Sequence, residues 1–315
     1  MSTADAPTGI APAGVEFCGL TLAHPIVNGS GTFDAIAAAR AFGAEQLREH
    51  FPFSAYVSKT ITLAPRHGNP PPRLWEAAAG LINSIGLPNK GLRGYLDEDL
   101  PQLAALGIGA AVPLITNVMG STAEEIARLL DACNARAEIA AVELNVSCPN
   151  VKTGLDIGAD PRQLGDVLRA VRPHTAKPLI VKLTPNTADV LACALAAQEA
   201  GADAISLINT LRASALAPVS PEAPNAPTAA PWLGAGSGGL SGPAIRVVAL
   251  AQVAAVAARV AIPVVGMGGV QSVRHARDLL DVGATLVAVG TESFRDPGAA
   301  ARIAQELRNV RHPAR

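Results

Sequence analysis

Ala141-Val-Glu-Leu-Asn-Val-Ser-Cys-Pro-Asn150 is the stretch from which both the fold and the site can be worked out. An apolar, β-type run ends here in a loop that carries an amide, a thiol and a second amide around a proline. A strand buried on both faces is nearly continuous in apolar residues. A polar side chain in or directly after such a strand needs a polar partner, and this stretch has four: Glu143, Asn145, Cys148 and Asn150. Two interpretations fit this stretch alone: a ligand site, or an Asx turn beside an inert buried cysteine.

The same pattern, an apolar run that ends in a small or polar residue, recurs along the chain, and most of the intervals have helical periodicity. Eight strand–helix units predict an α/β fold, a (β/α)8 TIM barrel. A doubly wound open sheet is the alternative, but Asn28-Gly-Ser-Gly31 does not match the glycine fingerprint that it requires. The predicted strands are Pro25–Ser30, Ala55–Thr60, Ala111–Asn117, Ala141–Val146, Pro178–Leu183, Ala204–Asn209, Pro263–Met267 and Thr285–Gly290.

The segments outside this repeat define the expected domain organisation. Residues 1–14 are expected to form a flexible tail, and residues 15–315 a single barrel domain. Val15 to His24 is predicted to be a hairpin that closes the floor of the barrel. Leu211 to Gly239, rich in Pro, Ala, Ser and Gly, is an insertion after the sixth strand. It is either a lid over the catalytic face or, in its middle, a tolerated surface insertion.

Composition excludes several classes of function. A net charge of -1 and a pI near 6.6 give no basic surface for nucleic acid or an anionic membrane. No apolar stretch approaches membrane-spanning length, and the N-terminus has no signal-peptide pattern. The four cysteines, Cys18, Cys133, Cys148 and Cys193, form no C-x-x-C pair, so no metal site is predicted. A cytoplasmic protein that acts on small molecules is the expectation.

Because the active site of a TIM barrel lies at the carboxyl ends of its strands, the strand ends are expected to form one polar ring. Two of the chain's five lysines, Lys59 and Lys182, end strands and should each face an anion or a polarised oxygen. Glycines after the seventh and eighth strands stand where these barrels bind phosphate on backbone N–H groups. The ring comprises Ser30, Gly31, Lys59, Thr60, Asn117, Asn145, Lys182, Asn209, Thr210, Gly268, Gly269, Gly290 and Thr291.

Cys148 is the candidate proton acceptor, since a thiol with an unperturbed pKa of about 8.5 ionises near neutral pH after modest tuning. No histidine ends a strand, so a Cys–His nucleophile is disfavoured and proton removal by the thiolate is favoured.

Several ordered motifs resemble class 1 dihydroorotate dehydrogenases, most closely the catalytic subunit of the B type. The motifs are Ser58-Lys-Thr-Ile-Thr62, Gly68-Asn-Pro70, Leu81-Ile-Asn-Ser-Ile-Gly-Leu-Pro-Asn-Lys-Gly91, Glu143-Leu-Asn-Val-Ser-Cys-Pro-Asn150, Gly238-Gly-Leu-Ser-Gly-Pro243 and Gly266-Met-Gly-Gly269.

The resemblance implies FMN as cofactor and a pyrimidine substrate, and it assigns residues to each. FMN would be bound by Ser30, Lys59, Thr60, Asn117, Asn145, Lys182, Ile208, Gly242, Gly268, Gly269, Gly290 and Thr291. Dihydroorotate would be bound by Lys59, Asn83, Ser84, Ile85, Gly86, Leu87, Asn145, Asn150, Asn209 and Thr210. Cys148 falls on the family's catalytic base, with Lys59 beside it as a cation that stabilises developing charge on the substrate.

By the same resemblance, Cys148 removes the C5 proton while hydride passes from C6 to N5 of FMN, and orotate is formed in UMP biosynthesis. B-type enzymes pass the electrons to NAD through a partner subunit that carries FAD and a [2Fe-2S] cluster, and a homodimer or a heterotetramer is expected. The alternatives are a fumarate-using class 1A enzyme, a related FMN dihydropyrimidine dehydrogenase and, more remotely, a non-catalytic barrel that binds a phosphate ligand. Glu143 has no assigned role.

Overall fold

A computed structural model describes residues 14–147, 157–218 and 230–309. Fourteen strands lie within these ranges, and eight of them form one parallel sheet in the order β3-β14-β13-β10-β9-β8-β7-β4. The strands are β1 (Val15–Phe17), β2 (Leu20–Leu22), β3 (Ile26–Asn28), β4 (Tyr56–Val57), β5 (Leu74–Ala77), β6 (Gly80–Asn83), β7 (Leu114–Val118), β8 (Ile139–Asn145), β9 (Leu179–Lys182), β10 (Ala204–Leu207), β11 (Leu211–Ala213), β12 (Gly238–Ser241), β13 (Val264–Met267) and β14 (Leu286–Val289). The eight predicted strands are confirmed, and the fold is a (β/α)8 barrel.

Helices cover the outside of this sheet, and the larger apolar core lies between helices and strands. Five of them begin at a side chain that accepts a backbone N–H bond: Asp34, Thr122, Asp160, Asp189 and Ser272. No helix in the described ranges is both long and apolar enough to cross a membrane. The helices are α1 (Ala35–Phe42), α2 (Ala44–Glu49), α3 (Gly91–Gly94), α4 (Leu100–Ala105), α5 (Ala123–Asn134), α6 (Pro161–Val171), α7 (Val190–Glu199), α8 (Arg246–Ala257), α9 (Val273–Asp281), α10 (Glu292–Arg295) and α11 (Ala299–Asn309).

Side chains close the barrel between β3 and β4, where the sheet has no backbone ladder. Asn28 Nδ2 donates to the Val57 carbonyl at 2.7 Å, and Asn28 Oδ1 accepts from the Val57 N–H at 2.8 Å. The Ser54 backbone N–H and hydroxyl both donate to the Ile26 carbonyl at 3.0 Å. The primary amide thus replaces the missing pair of ladder bonds with the same donor and acceptor types.

The N-terminal hairpin closes the floor of the barrel, as predicted. β1 and β2 pair antiparallel, and Phe17 and Leu22 pack into the same buried cluster as the inward side chains of the barrel strands. The Cys18 thiol donates to the carbonyl of Asp203, just before β10 begins. The hairpin therefore lies at the amino ends of the strands, and the opposite end of the barrel stays available for a site.

A second sheet, in the order β11-β12-β6-β5, was not predicted. The insertion after the sixth barrel strand is confirmed, and its two ends form β11 and the start of β12, which pair antiparallel. β12 also pairs with β6, which follows β5 in a hairpin. Residues 219–229 of the insertion lie outside the described ranges, as does the predicted tail apart from Gly14.

Candidate functional site

The barrel interior changes from apolar to polar along the strands. Its lower part packs Val57, Ile115, Ala141 and Ile180, with other apolar side chains, into one cluster. Two residues after Ile115, Ala141 and Ile180, on the same face of each strand, polar side chains replace the apolar ones. This polar inner layer consists of Asn117, Glu143, Asn145, Lys182 and Ser206, all buried.

Strand register brings the members of the polar inner layer together. Asn117 on β7 is level with Glu143 on β8, and Asn145 is level with Lys182 on β9. Lys182 is in turn level with Ser206 on β10. Four neighbouring strands therefore present polar groups to a single space at the carboxyl end of the barrel.

Asn117 is held at three of its four polar groups. Its backbone N–H donates to Ser58 Oγ at 3.0 Å, and its carbonyl accepts from the Ile61 N–H at 2.9 Å. Its side-chain Nδ2 donates to Glu143 Oε1 at 2.5 Å. Its Oδ1 is buried and has no partner within the described part of the chain. An orphaned buried acceptor of this kind is rare and points to a ligand that donates to it.

Glu143, which had no role assigned from the sequence, is 3% exposed and accepts two hydrogen bonds. Besides the bond from Asn117, its Oε2 accepts from Ser206 Oγ at 2.8 Å. Together these bonds give each carboxylate oxygen a partner inside the barrel.

Lys182 is 6% exposed, and its ammonium makes no hydrogen bond or ion pair among the described residues. An unpaired ammonium at the end of a largely buried side chain is available to an electron-rich ligand. Lys59, by contrast, is exposed between the buried residues Ser58 and Thr60 and likewise has no partner in the described ranges. Both lysines predicted to face an anion are therefore free to do so.

The end of β3 approaches the end of β4 through hydroxyl groups. Ser30 Oγ donates to the Ser58 carbonyl at 2.8 Å and lies 3.4 Å from Thr60 Oγ1. The sequence-predicted residues Ser30, Lys59 and Thr60 are thus placed in one corner of the barrel mouth.

Glycines shape the loops after β13 and β14. Gly268 and Gly269 have φ of 134° and 67°, which L side chains rarely adopt. A Cβ on Gly268 would lie 2.6 Å from Ala249 Cβ, and one on Gly269 would lie 2.7 Å from Arg246 Cβ. Gly242 has φ of 90° and lies against Gly80, because a Cβ on Gly242 would be only 2.9 Å from Gly80 Cα. These loops have room for backbone only.

Thr291 lies at the start of α10, after Gly290, and its Oγ1 donates to Ser241 Oγ at 2.8 Å. Ser241 and Gly242 follow one another at the end of β12. The glycine loops and Thr291 therefore meet, which is the arrangement expected for a phosphate site.

The loop after β10 is tied to the end of β8. Asn209 Nδ2 donates to Ser147 Oγ at 2.9 Å and to Asn145 Oδ1 at 3.3 Å. Asn209 Oδ1 accepts from the Thr210 N–H at 2.8 Å. The peptide bond between Leu207, the last residue of β10, and Ile208 is cis. The amides predicted to bind a ligand are thus joined in one network.

The segment Asn83 to Leu87 links the barrel mouth to the second sheet. Asn83 Nδ2 donates to the Gly239 carbonyl at 3.3 Å, and Ser84 Oγ accepts from Asn69 Nδ2 at 3.0 Å. Gly86 and Leu87 both have positive φ, 75° and 53°. The ends of the insertion and the predicted substrate loop therefore form one unit.

Cys148 and Asn150 lie outside the described residues. Ser147, directly before them, donates its N–H to Asn145 Oδ1 at 3.2 Å. Burial raises the pKa of Cys18 to about 11, with a smaller rise from Asp203, and burial raises the pKa of Cys133 to about 12 against a smaller lowering by Lys177. Burial also raises the pKa of Cys193. All three thiols therefore stay protonated near neutral pH, and each lies away from the polar inner layer.

Sequence reasoning missed Ser58, Ser206 and the role of Glu143. The signal was the period of two in the strands: positions 204 and 206, and 141, 143 and 145, face the same way. A polar residue at an inward position of a buried strand identifies the layer, whether or not it ends the strand.

Comparison with known proteins gives one consistent result. Residues 13–310 match the family model described as dihydroorotate dehydrogenase. A protein of Desulforudis audaxviator is 43% identical over 300 residues, covering 93% of this chain and 90% of its own length. A protein of Geobacter sulfurreducens is 42% identical over 297 residues, covering 93% and 91%. Both are named dihydroorotate dehydrogenase B (NAD(+)), catalytic subunit.

Proposed function

Since the chain belongs to the dihydroorotate dehydrogenase family, we propose that the polar inner layer and the loops around it are its active site. The chain is an FMN-dependent oxidoreductase that converts dihydroorotate to orotate in pyrimidine biosynthesis. The observation that carries the assignment of the site is the buried, unpartnered Asn117 Oδ1 at the carboxyl end of the barrel, in the same inner layer as the unpaired Lys182 ammonium.

The residues present fit a flavin. Its ring system offers both N–H and carbonyl edges, so an orphaned amide oxygen and an unpaired ammonium are complementary to it. Ser30, Lys59, Thr60 and Asn145 would complete the ring site, with Ile208 packing against it. FMN, when bound, supplies the acceptor for a hydride.

The phosphate of FMN would lie on the loops after β12, β13 and β14. Gly242, Gly268 and Gly269 bring the backbone close, and Gly290 and Thr291 stand at the start of α10. Backbone N–H groups and a helix start favour a phosphate group, whose negative charge they partly offset. Side chains at the glycine positions would fill the space that the phosphate needs.

Amide side chains would hold the pyrimidine ring of the substrate. Asn83, Asn145, Asn209 and Thr210 are linked to one another or to the second sheet by hydrogen bonds, so they are pre-positioned. Residues Ser84 to Leu87, and Asn150 from the undescribed segment, complete the proposed set. The Lys59 ammonium would stabilise negative charge that develops on the ring as a proton leaves.

Cys148 would remove the proton from C5. Its unperturbed pKa of about 8.5 is within reach of neutral pH when a cation stabilises the thiolate. Burial keeps the thiols of Cys18, Cys133 and Cys193 protonated, so none of these three competes for the role. Ser147, anchored to Asn145 and Asn209, fixes the start of the loop that carries Cys148.

Electrons would leave toward NAD through a partner subunit with FAD and a [2Fe-2S] cluster. The names of the relatives specify NAD(+) and a catalytic subunit, which implies another subunit. Among the described residues no group of three or more His, Cys, Asp or Glu side chains could hold a metal ion. The proposed assembly is a cytoplasmic homodimer flanked by partner subunits. The barrel domain would span residues 15–315, and residues 211–239 would form its lid.

Turnover with a dye as electron acceptor tests this function without the partner subunit. The purified holoprotein should form orotate from dihydroorotate, followed by its ultraviolet absorbance, and bleach the dye in equal amount. Dihydrouracil, which lacks the carboxylate, serves as the matched control substrate. Turnover of dihydrouracil in preference to dihydroorotate would instead assign the chain to dihydropyrimidine oxidation.

A further inference from the structure

Glu143 is the one acid of the polar inner layer, and no step of the proposed reaction uses it. Its carboxylate receives Asn117 Nδ2 at 2.5 Å and Ser206 Oγ at 2.8 Å, one bond on each oxygen. It is 3% exposed, which leaves little room for water to replace either partner. Burying a carboxylate costs free energy, so its retention calls for a function.

The contact with Glu143 fixes which way the Asn117 amide points. Each Glu143 oxygen accepts a hydrogen bond, one from Asn117 Nδ2 and one from Ser206 Oγ, so the NH₂ edge of Asn117 faces Glu143. The oxygen edge then faces away, where Oδ1 is buried and has no partner within the described residues. The backbone N–H of Asn117 is held by Ser58 Oγ, so the side chain pivots only at its own torsions.

We propose that Glu143 is a positioning residue for the flavin, which holds Asn117 so that Oδ1 accepts a hydrogen bond from a ring N–H of FMN. The inference rests on the proposed function, because it takes FMN as the occupant of the barrel mouth. With the amide turned over, its oxygen would face the carboxylate, two acceptors would oppose each other and the bond would be lost. Ser206 holds the second carboxylate oxygen and so orients Glu143 itself.

An isosteric exchange of the two residues tests the proposal. In Asn117→Asp two carboxylates face each other, and we expect the FMN dissociation constant to rise by about tenfold or more. In Glu143→Gln the side-chain oxygen still accepts from Asn117 and its NH₂ donates to Ser206, so FMN affinity should change by less than about threefold.

The double variant, Asn117→Asp with Glu143→Gln, restores a donor and an acceptor between the two strands. The amide introduced at position 143 donates to the carboxylate introduced at position 117, whose other oxygen still faces the flavin. The affinity lost in Asn117→Asp alone should therefore largely return.

The measurement is release of FMN from diluted holoprotein, followed by the rise in flavin fluorescence, together with the visible absorption band of the bound flavin. Thr116→Val is the matched control, because Thr116 is buried on the opposite face of the same strand and contacts Tyr95. It should cost stability and leave FMN affinity unchanged.

A double variant that releases FMN as readily as Asn117→Asp alone would overturn the proposal. So would Glu143→Gln weakening FMN as strongly as Asn117→Asp does. Failure of the proposed function is a different result: the unmodified protein itself would then retain no FMN.

Discussion

Lys182 illustrates how the barrel interior leaves a charged group available to a ligand. Its side chain is 6% exposed, and its ammonium has no ion pair among the described residues. A polar, electron-rich ligand can therefore bind to this ammonium without displacing a partner in the described part of the protein. Glu143 differs, because the protein itself supplies both of its partners.

Lys182→Met should weaken FMN binding and leave the stability of the flavin-free protein little changed. The ammonium has no partner in the described part of the protein to lose, so the free energy of unfolding should change by less than about 1 kcal/mol. Loss of its contact with the flavin should raise the FMN dissociation constant by about tenfold. Urea unfolding of the flavin-free protein and FMN titration measure the two effects. A variant that loses stability and keeps its FMN affinity would show that Lys182 has its partner within the protein.

Cys148→Ala should keep FMN and lose most of the flavin reduction by dihydroorotate. Without the thiolate, no group at the proposed position accepts the C5 proton. Cys148→Ser should retain a little activity, and more at high pH, since a hydroxyl ionises far less readily than a thiol. Stopped-flow absorbance of the flavin measures the rate, and the visible spectrum of the resting variant confirms that FMN is bound. An Ala variant as fast as the unmodified protein would identify another base.

For single residues, the sequence predicts which side chains lie together at the barrel mouth, because they stand at the ends of predicted strands. It could not indicate the role of Glu143, because that role depends on the distance across the barrel to Ser206 and on which edge of Asn117 faces inward. Nor could it distinguish the buried Lys182 from the exposed Lys59, since both simply end apolar runs.

At the scale of elements, the eight strands were predictable because each is a short apolar run between turn residues. The hairpin of β5 and β6 was not, since Leu74-Trp-Glu-Ala-Ala-Ala-Gly80 contains three alanines and no alternation. Its partner strand, β12, is Gly238-Gly-Leu-Ser241, and glycines are depleted in strands. Pairing between distant segments, rather than local propensity, forms this sheet.

The glycine loop after β13 should tolerate no side chain. Gly269→Ala would place a Cβ 2.7 Å from Arg246 Cβ and 2.9 Å from the Gly242 carbonyl, at φ of 67°. We expect FMN affinity to fall by about tenfold or more, because the loop must move away from the phosphate. Gly19→Ala is the control: it has a similar φ of 79°, no atom within 4 Å, and lies in the floor hairpin. It should lose some stability and no FMN affinity, so equal loss of affinity in both variants would contradict this explanation.

His24, at the junction between the hairpin and β3, should make the stability of the protein depend on pH. Burial, with a smaller effect of Arg308, lowers the pKa of His24 to about 4, and its Nδ1 accepts from the Ile26 N–H at 3.3 Å. Because the folded pKa is below the unfolded value near 6.5, this stability is present above about pH 6.5 and is lost as pH falls toward 4.

His24→Asn should remove this dependence, since an amide oxygen can accept the same bond and does not titrate in this range. Urea midpoints of both proteins at about pH 7.5 and about pH 5 measure it. The unmodified protein should lose more stability than the variant over that interval. Parallel losses would show that folding does not lower the pKa of His24.

In the whole molecule, the residues that stabilise the barrel and the residues of the proposed site lie at opposite ends of the barrel axis. The hairpin and an apolar cluster fill the amino end, the polar inner layer fills the carboxyl end, and Asn28 closes the wall between β3 and β4. The order of strands and the position of the site follow from the repeat in the sequence. The closure by the Asn28 side-chain amide could not be predicted, because the sequence does not indicate which two neighbouring strands are not joined by backbone hydrogen bonds.

The central claim is that the flavin bound by this barrel oxidises dihydroorotate. Anaerobic mixing of the FMN-loaded protein with dihydroorotate, in the absence of any other electron acceptor, tests this claim most directly. The flavin absorbance should bleach rapidly, with one orotate formed for each flavin reduced, and dihydrouracil should leave the flavin oxidised. Flavin that stays oxidised with dihydroorotate, or that bleaches only with dihydrouracil, would contradict the assignment.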